Sequence, residues 1–198
     1  MITLFVLLSE VDAAHRQVVR GQLEALGHRV DEVARAATIE TVTEGAYDVL
    51  LTDGDADGLA RRLRGSMPRA LLPHVASIAE PVASVIELAV HRATHLDDET
   101  VEGLEVITDG AVDELLEELF EGTAKSLETM ERASDDHDTL RRAAHSLVGT
   151  AGVCGAFGIS RACMGIERAI AREQVDEARV RIAALREIFE ATLAHRKP

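Results

Sequence analysis

Apolar residues in the second half of this chain recur at intervals of three and four positions, the spacing of a buried helical face. The pattern predicts four or five helices, over about 99–107, 110–133, 137–153, 159–172 and 176–195. Asp109 is the predicted cap of the second helix, and Asp135 and Asp136 are candidate caps of the third. The connections are short, so the pattern favours antiparallel neighbours in a helical bundle.

Short apolar runs alternate with helical patterns in the first half of the chain, as in an α/β layer. Strands are predicted at 2–8, 29–33 and 48–52, with two possible edge strands at 70–72 and 75–78. Helices are predicted over about 12–26, 58–64 and 82–94. Another predicted helix follows the strand at 29–33 and begins at Thr38, which is its candidate cap. We therefore predict an α/β domain over residues 1–95 and an all-α domain over residues 96–198, joined without a flexible tether.

The predicted helix over 137–153 carries a histidine on the face opposite to its apolar stripe. At about 100° per residue, Leu140, Ala144 and Leu147 fall on the side that faces a core, whereas His145 falls on the solvent side. A neutral imidazole that projects into solvent can attack phosphorus. The pattern therefore favours a phosphoryl carrier, and we interpret the other seven histidines as surface residues, namely His15, His28, His74, His91, His95, His137 and His195.

Glycines follow His145 at three-residue intervals, at positions 149, 152, 155 and 158. A glycine inside a helix costs about 1 kcal/mol relative to alanine. We expect the close approach of a partner protein to compensate for this cost, because a surface without side chains lets a partner reach the imidazole. Gly149 and Gly152 are the predicted docking positions beside His145.

Two cations lie one turn before His145. Arg141 and Arg142 are placed to stabilise the oxygens of a phosphoryl group. No base is apparent beside the histidine in the sequence. We therefore expect the chemistry to depend on positioning and on a metal ion supplied by the partner.

The segment His145-Ser146-Leu147-Val148-Gly149-Thr150-Ala151 resembles the signature of histidine phosphotransfer (Hpt) domains, which reads roughly His-x-Leu-Lys-Gly-x-Ala/Ser. The similarity extends over roughly residues 96–195. It implies an antiparallel four-helix bundle in which His145 accepts a phosphoryl group and Gly149 keeps the docking surface open. Val148 stands where the family usually has lysine, so Arg141 or Arg142 must supply the missing cation, or transfer is weak.

The first half resembles the receiver domains of two-component signalling, most visibly at residues 26–30 and 47–53. Asp53 stands where receivers carry the phosphoryl-accepting aspartate, and Glu10 stands for one of the two acids that bind Mg²⁺. Val11 occupies the position of the second acid, and Glu80 that of a lysine. The resemblance thus implies a truncated, flavodoxin-like pseudo-receiver. The alternative for the cluster of Asp53, Asp55 and Asp57 is a plain acidic turn.

Composition excludes several other classes of protein. The net charge of −14 disfavours binding to nucleic acids and to anionic lipid. The apolar run at 2–8 is too short to cross a bilayer, and Cys154 and Cys163 form no ligand cluster, so we expect packing roles in a reduced compartment. There is no nucleotide-binding glycine loop and no catalytic triad in the sequence, so an independent enzyme is not predicted.

The sequence therefore predicts a cytoplasmic phosphorelay protein that carries a phosphoryl group on His145. Its expected partners are the receiver domain of a hybrid histidine kinase, a response regulator, or both. We expect no cofactor in the chain itself, with Mg²⁺ on the partner receiver, no nucleic acid or membrane partner, and a monomer. The alternative function is a module that docks on receivers or histidine kinases, or inhibits them, without carrying phosphate, and Val148 favours it.

Overall fold

The computed structural model describes residues 2–9, 12–34, 37–133 and 136–195. The chain divides into two compact units, residues 1–91 and residues 92–198. The first unit is mixed α/β and the second is helical. The predicted domain boundary, after residue 95, lies slightly further along the chain than this division.

The first unit is built on a parallel sheet with the strand order β2-β1-β3-β4. Its elements in chain order are β1 (Phe5–Ser9), α1 (Ala13–Ala25), β2 (Arg29–Glu32), α2 (Thr38–Gly45), β3 (Val49–Thr52), α3 (Ala56–Arg64), β4 (His74–Ser77) and α4 (Val82–Thr94), whose last residues belong to the second unit. Every residue of β1 and β3 is buried. Central strands of a parallel sheet are covered on both faces, which explains their continuous apolar runs.

Local signals account for the ends of these helices. The Asp12 carboxylate accepts a hydrogen bond from the Ala14 amide and caps α1, and Gly27 follows this helix with a φ of 81°. The carboxylate of Asp55 caps α3 in the same way, by accepting from the Gly58 amide at 2.8 Å. The acidic turn after β3 therefore has a structural role in starting α3.

Three expectations for the first unit are wrong. Thr38 does not cap α2, because its hydroxyl is buried against Ser9 at 2.7 Å and Ala37 occupies the cap position. Residues 70–72 form no strand, since a short 3-10 turn over Arg69–Leu71 begins after Pro68. His28 is not a surface residue, because it is buried before β2 and its Nδ1 accepts from the Leu4 amide.

The described residues of the second unit form five further helices, α5 (Asp98–Ile107), α6 (Val112–Arg132), α7 (His137–Val153), α8 (Phe157–Ala171) and α9 (Val175–His195). α7 packs mainly against α8 and α6, and α9 packs against α8 and α6. Apolar side chains at helical spacing fill the space between them, including Leu119, Leu127, Met130, Leu140, Ile159 and Leu185. In contrast, α5 has no buried residue.

The cap prediction for α6 is also wrong. Asp109 and Gly110 both have positive φ values, 52° and 88°, and form the turn that precedes the helix, so that Ala111 takes the cap position. Asp136 does cap α7, whereas Asp135 lies outside the described residues. Among the residues that the structure describes, no helix is long and apolar enough to cross a membrane.

Candidate functional site

α7 presents His145 to solvent because its apolar residues bury the opposite face. Leu140, Ala144, Leu147 and Ala151 are buried, and their spacing defines a single helical stripe. The side chain of His145 is 79 % exposed. The imidazole is therefore accessible to another protein, as the sequence pattern predicts.

The beginning of this helix is well defined. Asp136 accepts hydrogen bonds from the backbone amide of Thr139 at 3.1 Å and from its hydroxyl at 2.7 Å. These bonds favour the ionised carboxylate and lower the pKa of Asp136. The cap lies at the positive end of the helix dipole and starts α7 two turns before the histidine.

A carboxylate of α8 contacts the histidine, contrary to the expectation that no base lies beside it. Oε1 of Glu167 lies 2.9 Å from Nδ1 of His145. The Glu167 side chain is only 18 % exposed, because it follows the buried Ile166 at the edge of the packed face of α8. In the sequence, the place of Glu167 beside the apolar residues of α8 could have indicated that its side chain is partly buried. Its contact with His145 could not be predicted, because it depends on how α7 and α8 pack.

The glycines after His145 fall into two groups. Gly149 is exposed, and a Cβ atom there would meet no atom within 4 Å. Gly152 is half-buried on the same helix. Both lie on the His145 face of α7 by helical geometry, so they stay as the candidate docking positions.

Gly155 and Gly158 have structural roles within the chain, so docking is the wrong explanation for them. Gly155 has a φ of 75°, and its carbonyl accepts from the Asp97 amide at 2.9 Å. A Cβ atom on Gly158 would collide with the backbone of Ala93. These two glycines allow the segment before α5 to approach the start of α8 closely.

The two predicted cations lie one turn before the histidine on α7, and Val148 lies one turn after it. Arg141 and Arg142 are exposed one turn before His145, where Arg141 lies 4.0 Å from Asp138 and Arg142 donates to the Thr139 hydroxyl. Val148 is half-buried, and its carbonyl accepts from the Ser160 hydroxyl of α8 at 2.8 Å. The helix that carries the histidine is thus hydrogen-bonded to α8 as well as packed on it.

The two cysteines are buried and reduced. Burial raises the pKa of the Cys154 thiol, and burial together with the negative charge of Glu167 raises the pKa of the Cys163 thiol. Both thiols are therefore poor nucleophiles.

The predicted receiver residues lie at the carboxyl-terminal edge of the sheet, as far as the structure describes them. Asp53 is exposed directly after β3. Glu80 is exposed after β4, and its carboxylate accepts from the Ser77 amide at 2.9 Å. Glu10 and Val11 lie outside the described residues. Within the described ranges, no three His, Cys, Asp or Glu side chains are grouped to hold a metal ion.

A cavity of about 430 Å³ opens at the same edge. It is lined by residues from the ends of β1 and β3 and from the starts of α2 and α3, including Ser9, Thr38, Thr52, Asp55 and Arg62. Most of these polar groups are engaged within the fold. Ser9 and Thr38 bind each other, the Thr52 hydroxyl accepts from Gly54, and Asp55 caps α3.

Comparisons with known proteins found one similar family and one similar solved structure. No curated protein matches the chain. The crystal structure of histidine-containing phosphotransfer protein B (HptB) from Pseudomonas aeruginosa PAO1 is similar with a TM-score of 0.47 and 23 % sequence identity, over 50 % of this chain and 90 % of that one. The family model of the Hpt domain matches residues 114–195, which include α7, His145 and Glu167. The chain therefore carries an Hpt domain, a module for histidine phosphotransfer in two-component signalling, in this part of its sequence.

Proposed function

We propose that this protein is a phosphorelay intermediate that carries a phosphoryl group on His145. The group comes from an aspartyl phosphate on the receiver domain of a hybrid histidine kinase and passes to a response regulator, or returns. The Mg²⁺ that this chemistry needs belongs to the partner receiver. The protein acts in the cytoplasm as a carrier and has no catalytic site of its own.

The observation that carries this proposal is the exposure of His145 beside an open helix surface. An imidazole that is 79 % exposed can enter a partner's active site. One turn later, Gly149 leaves free space where any larger residue would project a side chain. Phosphoryl transfer requires close and aligned approach of the two reacting groups, so clearance at this position has a direct effect on the rate.

We also propose the architecture that belongs to this function. Helices α6 to α9 form the antiparallel four-helix bundle of the Hpt domain, and Arg141, Arg142, Val148 and Gly152 border its docking surface. The first unit is a truncated pseudo-receiver. Its strand order β2-β1-β3-β4 equals the first four strands of the flavodoxin-like order, and Glu80 contributes a negative charge where a receiver has a lysine.

A second candidate function is supported by Val148. Without the usual lysine, the surface around His145 has one positive charge fewer to stabilise a phosphoryl group. The same surface can bind receivers or kinases as a blocking module that never becomes phosphorylated. In that case the helix face is the functional feature and the imidazole is dispensable.

Phosphoryl transfer from a panel of phosphorylated receivers tests both candidates. We expect acid-labile label on the wild-type protein and on Asp53→Ala, and none on His145→Ala. His137→Ala is the matched control, because His137 is exposed on the same helix and should be dispensable. Inhibition of a partner by His145→Ala at the wild-type level, without label on the wild type, would instead support the blocking module.

A further inference from the structure

The last two residues of α5, Val106 and Ile107, expose their side chains almost completely. They are 83 % and 81 % exposed, more than any other large apolar residue that the structure describes, and Val153 follows with 60 %. Single apolar residues are common on a protein surface, whereas adjacent ones that form a patch are typical of contact sites for other molecules. The end of α5 therefore has the character of a contact site.

α5 packs on its own chain through a different side. Val101 and Leu104 are half-buried and lie three positions apart, on one face of the helix. At about 100° per residue, Val106 projects from the opposite side to Leu104. Gly103 lies on the outer side too, and a Cβ atom there would meet no atom within 4 Å. The outer face of α5 is therefore open to close approach by another molecule.

Acidic side chains border the apolar pair. Glu102, Glu105 and Asp109 are all exposed and lie within a few positions of Val106. Among the residues that the structure describes, no cation forms an ion pair with these three carboxylates. An apolar centre with a polar, charged rim is the usual anatomy of a protein interface, and the charge of the rim selects a partner of opposite charge.

We propose that this α5 surface, formed by Val106, Ile107 and the rim of Glu102, Glu105 and Asp109, binds a basic amphipathic helix of a partner protein. Apolar residues of that helix cover Val106 and Ile107, and its lysine or arginine side chains pair with the rim. A second copy of this chain fits the surface less well, because two molecules with a net charge of −14 repel each other.

The α5 surface is separate from the histidine site. His145 lies on α7, and the part of the chain that matches the Hpt family begins at residue 114, after α5 has ended. Binding at this surface therefore does not depend on the function proposed above. His145→Ala should bind the basic helix as the wild type does, even if no phosphoryl group is ever carried.

A fluorescent synthetic peptide of about 18 residues, with leucine at helical spacing and lysine at the other positions, is the probe. Fluorescence anisotropy measures its dissociation constant. The double variant Val106→Ser, Ile107→Ser should bind about tenfold more weakly, because two apolar side chains are lost from the contact. Val18→Ser combined with Leu26→Ser is the matched control. It removes two exposed apolar side chains from α1 and should bind as the wild type does.

A second pair of variants tests the charge of the rim. Glu102→Gln combined with Glu105→Gln should weaken binding about threefold, since two ion pairs at an exposed rim are lost. Glu40→Gln combined with Glu87→Gln changes the net charge equally, at exposed positions of the first unit, and should have no effect. Equal weakening by both pairs would show that the total charge of the chain attracts the peptide, and would overturn the proposal.

Two further outcomes would overturn it. One is binding that the change at Val106 and Ile107 leaves at the wild-type level. The other is a wild-type dimer in analytical ultracentrifugation that the same double variant dissociates, because a second copy would then cover the α5 surface. The substituted side chains are exposed, so unfolding in denaturant should show wild-type stability for each variant.

Discussion

The His145 face of α7 and the carboxyl-terminal edge of the sheet are both polar surfaces, but the fold uses their side chains differently. At the sheet edge, Asp55 caps α3 and Glu80 binds the backbone of its own turn. On α7, the His145 side chain is 79 % exposed, and its described hydrogen bond joins it to Glu167. The comparison teaches that a polar residue at a predicted site is available for chemistry when local structure does not already need it.

Among the substitutions that test this comparison, a bulky residue at Gly149 should have the largest effect, which is on the rate of phosphoryl transfer. Gly149→Phe should slow transfer to His145 by about 100-fold, because the new ring keeps the partner from close approach. The free energy of unfolding should change little, since the position is open. Transfer rates from a phosphorylated receiver measure the effect.

Gly21→Phe is the control for that substitution. Gly21 is also exposed on a helix with no atom near its Cβ position, but it lies on α1 in the first unit. Its transfer rate should equal the wild-type rate. An equal loss of transfer at both positions would refute the clearance argument for Gly149.

A smaller effect, on stability alone, is expected at Gly158. Gly158→Val places side-chain atoms against the backbone of Ala93, and overpacking of this kind costs about 1–3 kcal/mol. Unfolding in denaturant measures the loss, which should appear in the helical unit. A stability equal to that of the wild type would show that the segment before α5 can move away, and that the close approach does not explain this glycine.

Gly149→Ala should raise the free energy of unfolding, whereas Gly158→Val should lower it. The position lies inside α7 and has free space, so alanine should stabilise the helix by up to about 1 kcal/mol. The same unfolding experiment detects this gain. If Gly149→Ala destabilises the protein, the surface beside His145 is more crowded than the structure describes.

The smallest expected effect concerns His28, a histidine that is buried in the fold. Burial lowers the pKa of His28 from its ordinary value of 6.5. The unfolded chain therefore binds a proton more readily, so this contribution to stability is complete above about pH 6.5 and is lost as the pH falls towards the lower folded value. The free energy of unfolding of the first unit should rise with pH across that window.

His28→Asn isolates this contribution. The amide oxygen can still accept from the Leu4 amide but does not titrate, so the slope of stability against pH should become flatter. His15→Asn makes the same change on the exposed face of α1 and should leave the slope as it is. A slope that is identical in His28→Asn and wild type would contradict the assignment.

Much of the site could be predicted because it depends on one helix. The capping Asp136 marks the start of α7, the apolar stripe from Leu140 to Ala151 sets the direction of His145, and no distant contact is needed for either. The strands β1 and β3 were predictable for a similar reason, since a continuous apolar run marks a covered parallel strand.

The features that sequence reasoning missed are contacts between distant segments. Glu167 lies 22 positions after His145 and meets it only because α7 and α8 pack together. Thr38 is a good capping residue by type, but the buried Ser9 hydroxyl binds it instead. Likewise Gly158 continues the spacing of Gly149, yet its role is set by Ala93. Spacing along one helix carries no information about such partners.

The most direct test of the central claim is to locate the phosphoryl group after incubation with a phosphorylated receiver and Mg²⁺. Peptide mass spectrometry at neutral pH, together with phosphorus-31 NMR, identifies the modified residue and the nitrogen that bears the group. The account predicts phosphate on Nε2 of His145, and its complete loss in His145→Ala. Phosphate on another residue, or retention of the label in His145→Ala, would contradict it.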